Sequence, residues 1–389
     1  GFACAFVAYG IAVQWLLQAF FALSTPAGAA RMASAALLAA GVAVTVAGAG
    51  LALAAVLGLL SGAMAAGCAA LVLGLAAYFA MVEIGRTRLL AGAVGLAGVL
   101  RAGLTLAFGA PVLALTQSGA ALLAAVAAAH VVAAVPVLLQ LGATLWADGF
   151  VRPRREDVAG LVRYGWPLVL SLGGAALALN LDRMLIGLFH GSAPVAAYGA
   201  TADFVRQSFV LVGEAVAAAY VSSAKASHSA GDTSGARCAL RRALALLLAA
   251  CLFGAVLFWL CGGMLFALLF AADYRSVAAE VLPVLLAGTI CLVLRAYYFG
   301  QVIYFSRTAW ADVASAGSML AVTALAGLLL VPQWSAMGAA LAFGLGQATG
   351  LTIFVLADPG GRVMPRDLRG AFPRAPARAG AAQPADPPR

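Results

Sequence analysis

Charge is what this sequence has least of. Of its 389 residues only 10% are Asp, Glu, Lys or Arg, while 64% are hydrophobic and the mean hydropathy is +1.03. Soluble domains run about 25% charged and about 45–50% apolar, so a soluble globular fold is excluded. The residue-by-residue alternation of a transmembrane β-barrel is missing as well. Cysteines are few and scattered (Cys4, Cys68, Cys238, Cys251, Cys261 and Cys291), with no CxxC pair. They read as small buried residues and support neither a metal site nor a disulfide framework. No HExxH, GxGxxG, P-loop or GxSxG motif stands in the context it needs. No cofactor is therefore indicated, nothing points to an enzyme, and no ATP-binding domain is present to drive transport. The chain opens Gly-Phe-Ala-Cys, without Met and without the basic region and cleavage site of a signal peptide.

What is present is a series of apolar runs of about 20 residues separated by short polar breaks, the pattern of a polytopic α-helical membrane protein. Spans are expected at about 2–23, 33–59, 63–82, 89–113, 119–145, 165–189, 195–221, 243–268, 278–305, 311–331 and 335–356. No charge occurs between Arg31 and Glu83. One helix cannot cover that distance at 1.5 Å per residue, so Ser61-Gly62 is read as a tight turn between two.

The net charge of +9 reads as membrane topology and not as a nucleic-acid surface. Alternate connections hold Arg31; Arg86 and Arg88; Arg152, Arg154, Arg155 and Arg163; Lys225, Arg237, Arg241 and Arg242; and Arg307. The opposite connections hold only Arg275. The basic side is expected to be cytoplasmic, and the C-terminus with it. The expected division is an N-terminal bundle over 1–147, a basic linker over 148–164, a C-terminal bundle over 165–357 and a disordered basic tail over 358–389.

Charges at bilayer depth are costly and mark candidate sites. Five lie between Asn180 and Glu214, in two spans joined by the turn His190-Gly-Ser-Ala-Pro194. Asp182 and Arg183 precede that turn by about as many residues as Asp203 and Arg206 follow it, so the four are expected at similar depth. Asp203, Gln207 and Glu214 fall near one stripe of a 3.6-residue helix, which must face protein or water. These groups can form a salt-bridge cluster that fixes the hairpin, or a polar cavity wall in which Asp182, Asp203 and Glu214 serve structure or ion coupling. Arg101, near mid-span with no acid within a turn, needs a water-filled cavity or a distant partner. Arg295, followed by Tyr297, Tyr298, Gln301 and Tyr304, suits sugar or phosphate contact, or else an interfacial belt. His130 reads as a satisfied core residue.

The ordered set Tyr164-Gly-Trp-Pro-Leu168, Asn180-Leu-Asp-Arg-Met-Leu-Ile-Gly187, Ala197-Tyr-Gly-Ala-Thr-Ala-Asp-Phe-Val-Arg-Gln207 and Ala230-Gly-Asp232 resembles the polysaccharide (O-antigen or exopolysaccharide) flippases and exporters. That family belongs to the multidrug/oligosaccharidyl-lipid/polysaccharide exporter superfamily. The resemblance is clearest over about 150–245. It implies an all-α fold of two helical bundles around a cationic cavity, with about 11 of 12 expected helices present and the first missing. It further implies alternating access in a bacterial inner membrane, with a lipid-linked oligosaccharide as cargo and a polysaccharide polymerase and chain-length regulator as further partners. Arg101, Arg183, Arg206, Arg295, Gln207 and Tyr298 are then the candidate cargo contacts. The alternatives are a drug or cation antiporter of the same fold, and an inactive or truncated family member.

Overall fold

A computed structural model describes residues 2–25, 28–146, 151–305, 310–358, 361 and 363–368. Among these residues ten helices are long and apolar enough to cross a membrane. They are α1 (Cys4–Leu23), α2 (Ala29–Val56), α3 (Gly62–Thr87), α4 (Ala91–Thr116), α5 (Gly119–Thr144), α6 (Arg155–His190), α7 (Ala193–Ser229), α8 (Thr233–Leu269), α9 (Ala272–Tyr304) and α10 (Trp310–Ala357). A helix satisfies its backbone groups within its own segment and so can stand in lipid.

The helix ends follow the local chemistry. Ser61 caps α3 by accepting from the Met64 amide at 3.3 Å, which makes Ser61-Gly62 the break expected inside the uncharged run. Ser118 caps α5 in the same way, and Asp232 caps α8 through the Gly235 amide at 2.9 Å. Gly191, at φ +81°, makes the turn between α6 and α7, a conformation that costs glycine little.

α10 is 48 residues long but contains Ser335 at φ 44°, ψ −118°. Its two arms fold back on each other. Ser315 donates to the Gly350 carbonyl at 2.8 Å, and a Cβ on Gly346 would meet Thr323 while one on Gly338 would meet the Leu330 carbonyl. The paired positions sum to a nearly constant number, as an antiparallel hairpin requires. The helix therefore crosses twice, which restores the separate spans expected at 311–331 and 335–356. Small residues let the arms approach this closely.

Buried apolar side chains sort into two clusters, one drawn from Ala5 to Leu161 and the other from Leu168 to Met364 with Phe21 added. In the first, Gly74 lies against the Ala127 backbone, where a Cβ would come within 2.7 Å of its carbonyl oxygen. The groups meet at several places. α1 lies on the first half of α6, with Trp15 against Gly165, and the end of α3 meets the end of α7.

Two expectations change. Residues 155–164, expected as linker, are the opening turns of α6, where the Asp157 carboxylate accepts from the Arg154 amide at 2.9 Å, and Leu161 is buried in the first cluster. Residues 147–150 of the linker, Arg307, Arg362 and the tail from 369 onward lie outside the described residues. The described start of the tail is ordered. Buried Asp358 accepts from the Met364 amide at 2.8 Å, Arg366 donates to the Asp358 carbonyl at 2.5 Å, and Tyr298 donates to the Pro365 carbonyl. Arg241 pairs with Asp367 at 3.0 Å. Composition suggested disorder because it registers Pro, Ala and Arg but not these specific acceptors.

Both α1 and α7 contain one π turn, at Gly10–Gln14 and Ala217–Val221. Such turns insert one residue into the helical ladder.

Candidate functional site

The four charges of the α6–α7 hairpin resolve into two pairs. Arg206 and Asp182 meet at 2.5 Å with side chains 8% and 0% exposed. Tyr198 donates to the same carboxylate oxygen at 2.8 Å, and Arg206 also donates to the Leu179 carbonyl at 3.1 Å. The guanidinium lies 3.8 Å from the centroid of the Phe343 ring. This pair is buried beside the second cluster. These additional hydrogen bonds reduce the desolvation cost of the buried pair, while Arg206 Nε has no partner among the described residues. Arg183 and Asp203 form the second pair, bidentate, with Asp203 64% exposed.

Asp203, Gln207 and Glu214 lie on one α7 stripe, the first two exposed and the third half-buried. Across from it, Arg101 of α4 reaches Glu214 at 3.8 Å. This is the distant partner that Arg101 lacked within its own helix, and it comes from the other helical group. The Arg101 guanidinium also stands 5.3 Å from the Tyr78 ring and 5.9 Å from the Phe79 ring, within cation–π range. Tyr297 of α9 lies near Glu214. Arg101 is ten residues into α4, about 15 Å along the axis, so the site is near mid-membrane.

Two candidates are placed elsewhere. Arg295 is buried and donates to Gln347 at 3.0 Å, with its aliphatic stem against Gly350. It is held inside the second group by a partner 52 positions along the chain, not bared to a cavity. Tyr298 is fully buried and spends its hydroxyl on Pro365. His130 is buried, bonds the Val126 carbonyl at 2.8 Å and packs edge-on to Tyr78, the satisfied core role expected of it.

Sequence reasoning missed Tyr78, Glu83, Arg86 and the depth of Lys225. Arg86 and Glu83 pair at 2.8 Å at the basic end of α3. Lys225, the only lysine in the sequence, is 7% exposed at the end of α7. That single occurrence was the available signal, read instead as a topology charge. A separate apolar pocket of about 320 Å³, lined by residues such as Phe204, Leu257 and Phe258, opens between α7 and α8. Among the described residues no group of His, Cys, Asp and Glu is placed to hold a metal.

The polysaccharide biosynthesis protein family matches residues 98–221, a stretch that includes Arg101 and the whole charged hairpin. Solved structures match almost the full length. A MATE transporter from Vibrio cholerae superposes with a TM-score of 0.70 at 16% identity, covering 91% of this chain and 85% of that one. A MATE bound to the ligand MaL6 gives 0.68 at 16%, with 91% and 84% covered. A MOP-superfamily transporter from Pyrococcus furiosus, whose binding pocket is described as of reverse polarity, gives 0.66 at 16%, with 92% and 83% covered. The chain has the fold of the MATE transporters. These matches bear out the resemblance read from the Asn180–Gln207 motifs. No curated protein matches the sequence. In this MATE fold the Arg101–Glu214 contact joins the two helical groups midway, while α3 and α7 close them together at the basic end.

Proposed function

We propose that this MOP-superfamily exporter moves a lipid-linked oligosaccharide across a bacterial inner membrane by rocking two bundles, 1–147 and 165–357, around the cleft between them. The basic end is taken as cytoplasmic from the loop charges. The packing of the end of α3 against the end of α7 then closes the two bundles on the inward side.

The observation that carries this reading is Arg101. It is an intramembrane cation flanked by two aromatic rings, with one ionic partner among the described residues, at 3.8 Å. Aromatic faces suit sugar stacking, and a guanidinium suits phosphate oxygens. The exposed Gln207 and the Arg183–Asp203 pair extend the polar wall outward. A polymerase and a chain-length regulator would take the exported unit onward.

A drug or cation antiporter is the second reading. It is favoured by the Asp203 and Glu214 carboxylates, which lie on the same stripe and would attract a cation. Complementation separates the two. A strain lacking its own flippase, supplied with this gene, regains surface polysaccharide under the first reading. Loss of drug susceptibility without polysaccharide supports the second.

A further inference from the structure

At the basic end, a cavity of about 90 Å³ lies where α1 and α3 of one group meet the end of α7 from the other. That is several times the ~10–15 Å³ a single water needs. Four buried polar atoms at or beside it have no hydrogen-bond partner among the described residues. They are Nε and Nη2 of Arg86, Nζ of Lys225 and Oγ of Ser222. All four can donate, and Arg88 also lines the space. The Phe21 ring forms one wall, 4.7 Å from the Arg86 guanidinium and 4.4 Å from Lys225 Nζ. Glu83 is the acid beside the cavity, and Glu214 is more distant and faces Arg101. One Glu83 oxygen accepts from Arg86 Nη1 at 2.8 Å, and the other is buried and unpartnered among the described residues. Arg86 and Lys225 against Glu83 leave a positive excess in a poorly solvated place, with the exposed Arg88 at its rim.

Buried donors are normally satisfied, and buried charges are normally paired. Water could complete the hydrogen bonds but not the charge. Guanidinium, ammonium and hydroxyl donors converging on one small space match the oxygens of a phosphate group.

We infer that Arg86, Lys225 and Ser222 form a phosphate-binding site bridging the two helical groups, distinct from the Arg101–Glu214 contact. Because Arg86 comes from one group and Lys225 and Ser222 from the other, the bound anion favours the state closed at this end. A ligand shifts a conformational equilibrium only through such differential contacts.

The test uses the full chain in dodecyl maltoside micelles, which contain no phosphate. Inorganic phosphate and pyrophosphate are titrated by calorimetry and thermal shift into wild type, Lys225→Gln, Arg86→Gln and Ser222→Ala. Wild type is expected to bind at least one anion saturably. Lys225→Gln is expected to bind at least tenfold more weakly, and Ser222→Ala less severely so. Arg86→Gln also removes the Glu83 ion pair, so Lys225→Gln, which keeps it, is the deciding variant. No saturable binding by wild type, or equal binding by a folded Lys225→Gln, overturns the site. Repeating the titration in nanodiscs of phosphatidylglycerol and of phosphatidylcholine identifies the source. Competition specific to phosphatidylglycerol assigns the site to an anionic lipid headgroup, and unchanged binding assigns it to a soluble phosphate or pyrophosphate. Transport is not read, so the outcome does not depend on the cargo.

Discussion

Asp182 and Arg206 meet across the α6–α7 hairpin at 2.5 Å, both almost without exposure. They hold the two helices together from inside, and this explains why costly charges persist there. Asp182→Asn leaves a buried guanidinium uncompensated, at a cost of roughly 3–5 kcal/mol. Asp182→Leu combined with Arg206→Met removes both charges and is expected to recover most of the loss. Thermal melting in detergent at a fixed scan rate checks it. A double variant no better than the single one would show that packing, not charge, decides.

Arg101 and Glu214 should behave in the opposite way. Their contact is 3.8 Å and the Glu214 side chain is 41% exposed, so the pair contributes at most about 1 kcal/mol to stability. Arg101→Ala is expected to leave the melting temperature within a few degrees while lowering transport at least tenfold. Complementation titre and melting, measured on the same variant, separate the two effects.

The α10 hairpin depends on missing side chains. A Cβ on Gly350 would lie 2.9 Å from Arg295 Cδ and 3.2 Å from Ser315 Oγ. Overpacking of this kind costs about 1–3 kcal/mol. Gly350→Val should therefore lower the melting temperature, whereas Gly317→Ala, with open space around it, should not.

Tyr298 anchors the segment after α10 through Pro365. Tyr298→Phe keeps the ring and removes the bond. Residues 363–368 should then be cut faster by protease while the helices remain protected, as limited proteolysis with mass spectrometry would read.

The cap of α8 gives a pH dependence. Hydrogen bonds from the Gly235 amide and the Ser234 hydroxyl hold the Asp232 carboxyl below its ordinary value. The folded pKa is depressed, so its contribution is present above the unfolded value of about 4 and is lost as pH falls through the folded one. The extra amide protection of residues 233–236 relative to Asp232→Ala should be full at pH 6 and vanish in strong acid.

Much of this was legible because the bilayer imposes simple rules. Span positions, the break at Ser61 and the level placement of the hairpin charges follow from length, polarity and rise per residue. Depth along a helix is readable in this way, but azimuth and remote partners are not. Arg295 looked bare because Gln347 is far away in sequence, and Tyr298 looked free because the path of the chain past Ala357 has no periodic signal. Arg86 and Lys225 each looked like ordinary loop charges. Only the packing of the end of α3 against the end of α7 brings them to one cavity.

The π turn at Ala217–Val221 sits between Glu214 and Lys225, and it sets their relative phase. Each residue of an α-helix advances about 100° around the axis. Strict α winding through 217–221 would swing every later side chain by about that angle. Lys225 and Ser222 would leave Arg86, while Glu214 stayed opposite Arg101. One wide turn thus offsets the two ends of α7 by a fixed angle, so a single rod carries an electrostatic contact at mid-depth and a separate clasp at its rim.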